Sequence, residues 1–219
     1  MAHPAMMHPP ARREIGADVY NEKLGIWVFL GSEVMFFTAL IGAYIIVRFG
    51  SPECWAQPNQ ILNVPVTAIN TFLLICSSVT MVKAFASIQD GDQKKLQLYM
   101  VATVIIGAAF VGVQAYEYTT LVHEGFLASG YAAGSHFAEL AARGELPASV
   151  GVYGSSFYTM TGFHGFHVSM GVVCMVFVTW KAFKGKYTKE DHRGVEVIGL
   201  YWHFVDLVWL ILFTIVYLV

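Results

Sequence analysis

Five uninterrupted apolar stretches, each long enough to cross a lipid bilayer, leave this 219-residue sequence few folds to choose from. They run over Leu24–Val47, Pro65–Ser87, Leu96–Val122, Val152–Phe183 and Val197–Val219. A hydrocarbon core about 30 Å thick takes ~20 residues of helix to cross, and within it only helices and closed barrels satisfy every backbone group. The stretches lack the two-residue alternation of barrel strands. The expected fold is therefore an all-α membrane protein, a bundle of five transmembrane helices. Turn and charge signals bound each stretch. Gly50, Ser51 and Pro52 close the first and Pro65 opens the second, while QDGDQKK and KGKYTKEDHRG separate second from third and fourth from fifth. The fourth stretch is longer than a bilayer needs, so it is expected to tilt or protrude.

Composition agrees. Charged residues make up 13% of the chain and hydrophobic ones 56%, against roughly 25% charged in soluble domains. A formal charge of −2 offers nothing for nucleic acid to bind. Cys54, Cys76 and Cys174 are far apart, lack CxxC spacing, and read as free thiols. The N-terminal MAHPAMMHPPARREIGADVYNEK is polar and Pro-rich, without the apolar run and small-residue site of a cleavable signal.

Charge also predicts direction. With five spans, the N-terminus and the second and fourth loops share one side. That side holds Arg12, Arg13, Lys23, Lys83, Lys94, Lys95, Lys181, Lys184, Lys186, Lys189 and Arg193. The other holds Arg48 and Arg143. Eleven against two of the 13 basic residues places the N-terminus in the cytoplasm and the C-terminus outside. Residues 1–23 are then a polar cytoplasmic segment and residues 24–219 the transmembrane domain. The long connection 123–151 is an outer surface loop, Ala- and Gly-rich, with a short helix expected around Ser135–Arg143.

Besides Lys83 and Lys181 at the cytoplasmic span ends, six ionisable residues fall inside the spans: Glu33, Glu117, His164, His167, His203 and Asp206. A charge there costs about 2.5 to 3.5 kcal/mol on insertion scales, so such groups turn inward and mark function. His164 and His167 are three apart, as are His203 and Asp206, so each pair shares a helix face. At 1.5 Å per residue Glu33 lies roughly 14 Å from the cytoplasmic end of its helix, and His203 and Asp206 roughly 9 to 14 Å from theirs. His167 is near mid-membrane and Glu117 near the outer end. A cluster of Glu33, His167, His203 and Asp206 is geometrically open. It would serve as a hydrogen-bonded brace between helices, as a metal site of two histidines and two carboxylates, or as a proton relay with Glu33 as its leading member. The metal reading is the weakest, because di-iron bundles use Glu-x-x-His pairs, which this chain lacks.

Other patterns read as packing. Thr161, Gly165 and Ser169 line one face with small residues that let a neighbour approach. Tyr153, Tyr158, Trp180, Tyr201 and Trp202 lie towards span ends, where aromatic rings favour the interface. There is no CxxCH, no Gly-rich phosphate loop and no nucleophile arrangement, and three intramembrane histidines are too few for a haem–copper centre. No cofactor and no catalytic residue is expected in this chain.

The polar residues stand in strings that resemble subunit III of haem–copper terminal oxidases. These are GIWVFLGSEVMFFTAL with Glu33, AINTFLLICSS, GVQAYEY, GVYGSSFYTMTGFHGFHVSMG and YWHFVDLVWLILFTIVYL, in order over all five helices. The resemblance is to the five-helix form, since the chain begins where the third helix of the seven-helix form would stand. It implies a non-catalytic subunit of a proton-translocating oxidase in a bacterial inner membrane, with cytochrome c oxidase ahead of a quinol oxidase or a nitric oxide reductase accessory subunit. It further implies oxidase subunits I and II as partners, with a fourth subunit and phospholipid as further candidates, and haem and copper in the partners. Glu33 would be the family's buried carboxylate, His167 its partner, and Glu117, His203 and Asp206 members of the polar interior. A stand-alone membrane metalloenzyme and an ion channel are the rival readings from other classes.

Overall fold

A computed structural model describes residues 21–218; Arg12, Arg13 and the rest of residues 1–20, with Val219, lie outside the described residues. Five helices are long and apolar enough to cross a membrane. They are α1 (Asn21–Gly50), α3 (Val64–Asp90), α4 (Gln93–Glu124), α6 (Gly151–Phe183) and α7 (Arg193–Phe213), the last continuing through a wider π-type turn over Thr214–Leu218. Between them lie a short α2 (Pro58–Ile61), a two-stranded hairpin of β1 (Phe126–Leu127) and β2 (Gly130–Tyr131), and α5 (His136–Ala142).

Helix ends follow local chemistry. Asn63 caps α3 by accepting from the Val66 N–H, with Pro65 in its first turn, where the missing N–H is harmless. Gly91 ends α3 with φ of 84°, in the left-handed region open to glycine, and Asp92 then caps α4 through the Lys95 N–H. The tight turn leaves α3 and α4 antiparallel neighbours.

Four helices close into a ring, α3 against α4, α4 against α6, α6 against α7 and α7 against α3, while α1 lies in the outer groove between α6 and α7. Trp202 of α7 fills the centre. It has no exposed surface, its Nε1–H donates to Ser77 Oγ of α3 at 2.9 Å, and its ring rests on Gly107 of α4 and Gly171 of α6. The expected interface role of Trp202 is thus corrected: the ring is in the core because two glycines leave a notch for it. Tyr153, also expected at the interface, is equally buried, and Trp180 keeps an exposed ring with Lys184 Nζ 3.7 Å above it.

The long connection is a packed cap as well as a surface. Phe126, Phe137, Leu146 and Val150 are buried, Phe126 lies against Tyr153, Phe157 and Tyr158 of α6, and Tyr158 donates to the Phe126 carbonyl at 2.8 Å. The hairpin thereby sheathes the first turns of α6, whose 33 residues span about 50 Å, well beyond the hydrocarbon thickness. The expected short helix is present as α5, with Ser135 accepting from Ala138 at its start. All three described cysteines are free.

A β-carbon on Gly107 would stand 2.7 Å from the Trp202 ring, whereas one on Gly112 meets nothing within 4 Å. Gly107→Ala is therefore expected to lower stability by about 1–3 kcal/mol through overpacking, while Gly112→Ala is neutral or stabilising through helix propensity. Thermal unfolding of both variants in detergent checks the contrast.

Candidate functional site

Glu33 stands mid-way along α1 and His167 mid-way along α6. Glu33 Oε2 lies 3.1 Å from His167 Nε2, with side chains 17% and 13% exposed. The other ring nitrogen, Nδ1, is 2.7 Å from the Phe163 carbonyl one turn earlier. A carbonyl only accepts, so Nδ1 carries a hydrogen. That leaves Nε2 to face the carboxyl group, and their contact is a hydrogen bond when either of the two carries a proton there. Aromatic rings shield it: Phe37 meets the imidazole edge-on at 5.2 Å, and Phe36 packs on Phe163. Tyr201 of α7 donates to the His167 carbonyl at 2.9 Å, tying all three helices together at this point.

His203 and Asp206 are held elsewhere, on the side of α7 that faces α3. His203 Nδ1 lies 2.5 Å from Ser78 Oγ, and Ser78 also stands beside the Asp206 carboxyl. Asp206 is buried, and its Oδ1 has no hydrogen-bond partner. Among the described residues no hydrogen bond or ion pair joins this group to Glu33 and His167. The four residues that the sequence leaves open as one cluster therefore occupy two places.

His164 shares its turn with His167 but not its surroundings. It is completely buried, stacks on Trp209 at 4.8 Å, meets Phe110 and Phe37 edge-on, and neither ring nitrogen has a hydrogen-bond partner. Glu117 sits near the C-terminal end of α4, where Oε1 accepts from Thr67 and Oε2 from the Tyr217 hydroxyl. It lines a cavity of about 410 Å³ with Asn63, Tyr116 and Glu124. The small-residue face of α6 receives side chains of α4: Gln114 donates to the Thr161 carbonyl and its amide rests on Gly165, while Tyr118 meets the Thr161 hydroxyl. Ser169 bonds back to the Gly165 carbonyl.

Ser78, Tyr201, Thr67 and Tyr217 are the partners that the ionisable residues alone did not identify. Their signal was present in part, since Thr67, Thr71, Ser77 and Ser78 place hydroxyls at helical spacing along an otherwise apolar α3. Among the described residues, no three His, Cys, Asp or Glu side chains converge as a metal site would need.

The sequence profile for cytochrome c oxidase subunit III matches residues 19–144 and 139–219. The chain is 35% identical to the cytochrome c oxidase subunit 3 of Thermostichus vulcanus, over 89% of this chain and 86% of the relative. It is 34% identical to that of Bacillus sp. (strain PS3), over 90% and 86%. A probable quinol oxidase subunit 3 from Staphylococcus saprophyticus is 30% identical, over 90% and 88%.

Two substitutions separate the histidines. His164→Phe loses no hydrogen bond and keeps an aromatic ring in an aromatic box, so its expected cost is under about 1.5 kcal/mol. His167→Phe strands the Glu33 carboxyl and is expected to cost about 1–3 kcal/mol. Unfolding midpoints of the two variants in one detergent measure the difference.

Proposed function

This chain belongs to the cytochrome c oxidase subunit III family, and on that premise we propose that it steadies the catalytic subunit of a proton-translocating oxidase and supports its proton uptake, with cytochrome c as electron donor. As a member of that family it is a multi-pass membrane protein and a subunit of a haem–copper oxidase complex. The proposed membrane is the bacterial inner membrane. The N-terminal segment 1–23 and the α3–α4 and α6–α7 turns face the cytoplasm, and the 123–151 connection and the C-terminus face outward. The eleven-to-two distribution of basic residues supports that orientation. Subunits I and II, which carry the haem and copper, are the proposed partners, with a fourth subunit and phospholipid alongside them.

The observation that carries the proton role is the Glu33–His167 pair, a carboxyl–imidazole contact held mid-way along two helices and screened by aromatic rings. An ionisable pair at such depth is costly unless it is used. His164 and Glu117 are assigned to the interior framework, together with the packing face of Thr161, Gly165 and Ser169. A quinol donor is the second reading, favoured by the similarity to the Staphylococcus saprophyticus protein.

A tagged copy purified from its native membrane is expected to bring a haem-containing partner with it. A preparation with neither haem spectrum nor partner subunit would sink the assignment. In the assembled oxidase, Glu33→Gln is expected to preserve assembly and electron transfer, since the amide still hydrogen-bonds, and to slow proton uptake measured with a pH dye. Unchanged uptake would remove Glu33 from the proton role.

A further inference from the structure

The side of α7 that faces α3 carries a run of ionisable groups separate from Glu33 and His167. Glu196, His203 and Asp206 stand at i, i+7 and i+10, one side of the helix, at successive heights of about 10 and 15 Å from the first. A cavity of 190 Å³ lies along this side, between Met81, Val82 and Phe85 of α3 and Glu196, Gly199 and His203 of α7. That is room for waters, whose polar partners would be Glu196 and His203 at the two ends of a lining that is otherwise apolar, Val195 and Leu200 included. Glu196 forms the end of the cavity nearest the α6–α7 turn, where it pairs with Lys23 of α1 at 2.5 Å. At the deeper end His203, which lines the cavity, is engaged by Ser78 through Nδ1. Beyond them sits the buried Asp206, one carboxyl oxygen without a partner. A buried oxygen of that kind calls for a water or a proton. Lys83 of α3, the nearest other cation on that helix, is turned away onto the Tyr99 ring of α4.

We propose that the α3–α7 groove is a proton-loading branch, in which protons enter past Glu196, are taken up by His203 and come to rest on Asp206. The proposal rests on the reading of this chain as a support for proton uptake and gives that role a second address. The transfer balances as follows. His203 Nε2 accepts the excess proton that arrives as hydronium on the cavity water, which is left as neutral water, and its Nδ1 proton passes to Ser78 Oγ as the Ser78 hydroxyl proton passes to the Asp206 carboxylate. Imidazole and hydroxyl end neutral, Asp206 ends as a neutral acid, and one proton has moved inward. Exchange of the imidazole tautomer through the cavity water resets the path.

The test is infrared spectroscopy of the full chain in lipid nanodiscs, which needs no oxidase turnover. A protonated-carboxyl C=O band that Asp206→Asn removes is expected to grow as the pH falls. On transfer to D2O the band should shift at once in the parent chain. In His203→Phe the shift should be slowed roughly 100-fold, the low end of what a positioned acid–base group contributes. Glu196→Gln, at the mouth of the cavity, should slow it less and serves if His203→Phe does not fold. No band lost in Asp206→Asn at any pH, or equal exchange rates in parent and folded variants, would overturn the groove. Absence of a haem partner in the purification above would instead sink the oxidase reading and leave this measurement standing.

Discussion

The indole of Trp202 is the contact on which the bundle depends, because it touches all four helices of the ring at once. It belongs to α7, hydrogen-bonds Ser77 of α3, and lies flat in the notch left by Gly107 of α4 and Gly171 of α6. Within lipid, apolar surface gains little by leaving one hydrocarbon environment for another, so close packing and inter-helix hydrogen bonds decide which helices meet. A large ring between two residues without side chains supplies the first, and its N–H the second. Trp209 repeats the device two turns on, donating to Thr71 of α3 at 2.9 Å and stacking on His164 of α6. With both rings seated, the faces of α7 are assigned. Trp202 and Trp209 point into the ring, Tyr201 and Phe204 towards α1 and α6, and His203 and Asp206 towards α3.

That partition explains why the polar residues do not form one cluster. Three residues of helix turn a side chain by about 60°, close enough to share a face on a helical wheel. Here it is also far enough to face different neighbours. His164 points into the aromatic interior and His167 reaches Glu33 on the outer helix. Glu33 and Asp206 lie at similar depth by residue count, yet the width of α7 stands between them.

The long helices were legible because lipid demands length and apolarity, both properties of the sequence alone. Pairing was not. Trp202 lies near the start of its apolar stretch, where a ring usually marks the interface, and only the distant Gly107 and Gly171 reveal that it is buried. Phe126 and Phe137 were similarly hidden in a connection whose abundant alanine and glycine suggested exposure, until the hairpin folded them onto Phe157 and Tyr158. The Glu33–His167 contact needed the family resemblance to be anticipated, since nothing in spacing joins residues on two helices far apart in the chain.

The outer helix shows what the polar contacts do in a fold of this kind. Among the described residues of α1 only Phe37 and Tyr44 are buried, so apolar packing gives it little reason to stay in the groove between α6 and α7. Polar contacts hold it instead, at its two ends and its middle, the Glu22–Arg193 ion pair among them. Lys23 pairs with Glu196, Arg48 donates to the Ile215 carbonyl, and Glu33 meets His167. The end contacts align α1 parallel to α7. The central one fixes its rotation, because a helix turned by a single residue would carry Glu33 about 100° away from His167. The contact between that pair is thus part of what positions α1, at the point where three helices meet. The structural brace and the proposed proton site are the same two side chains, which is why a substitution that preserves the hydrogen bond while removing the titratable group separates the roles.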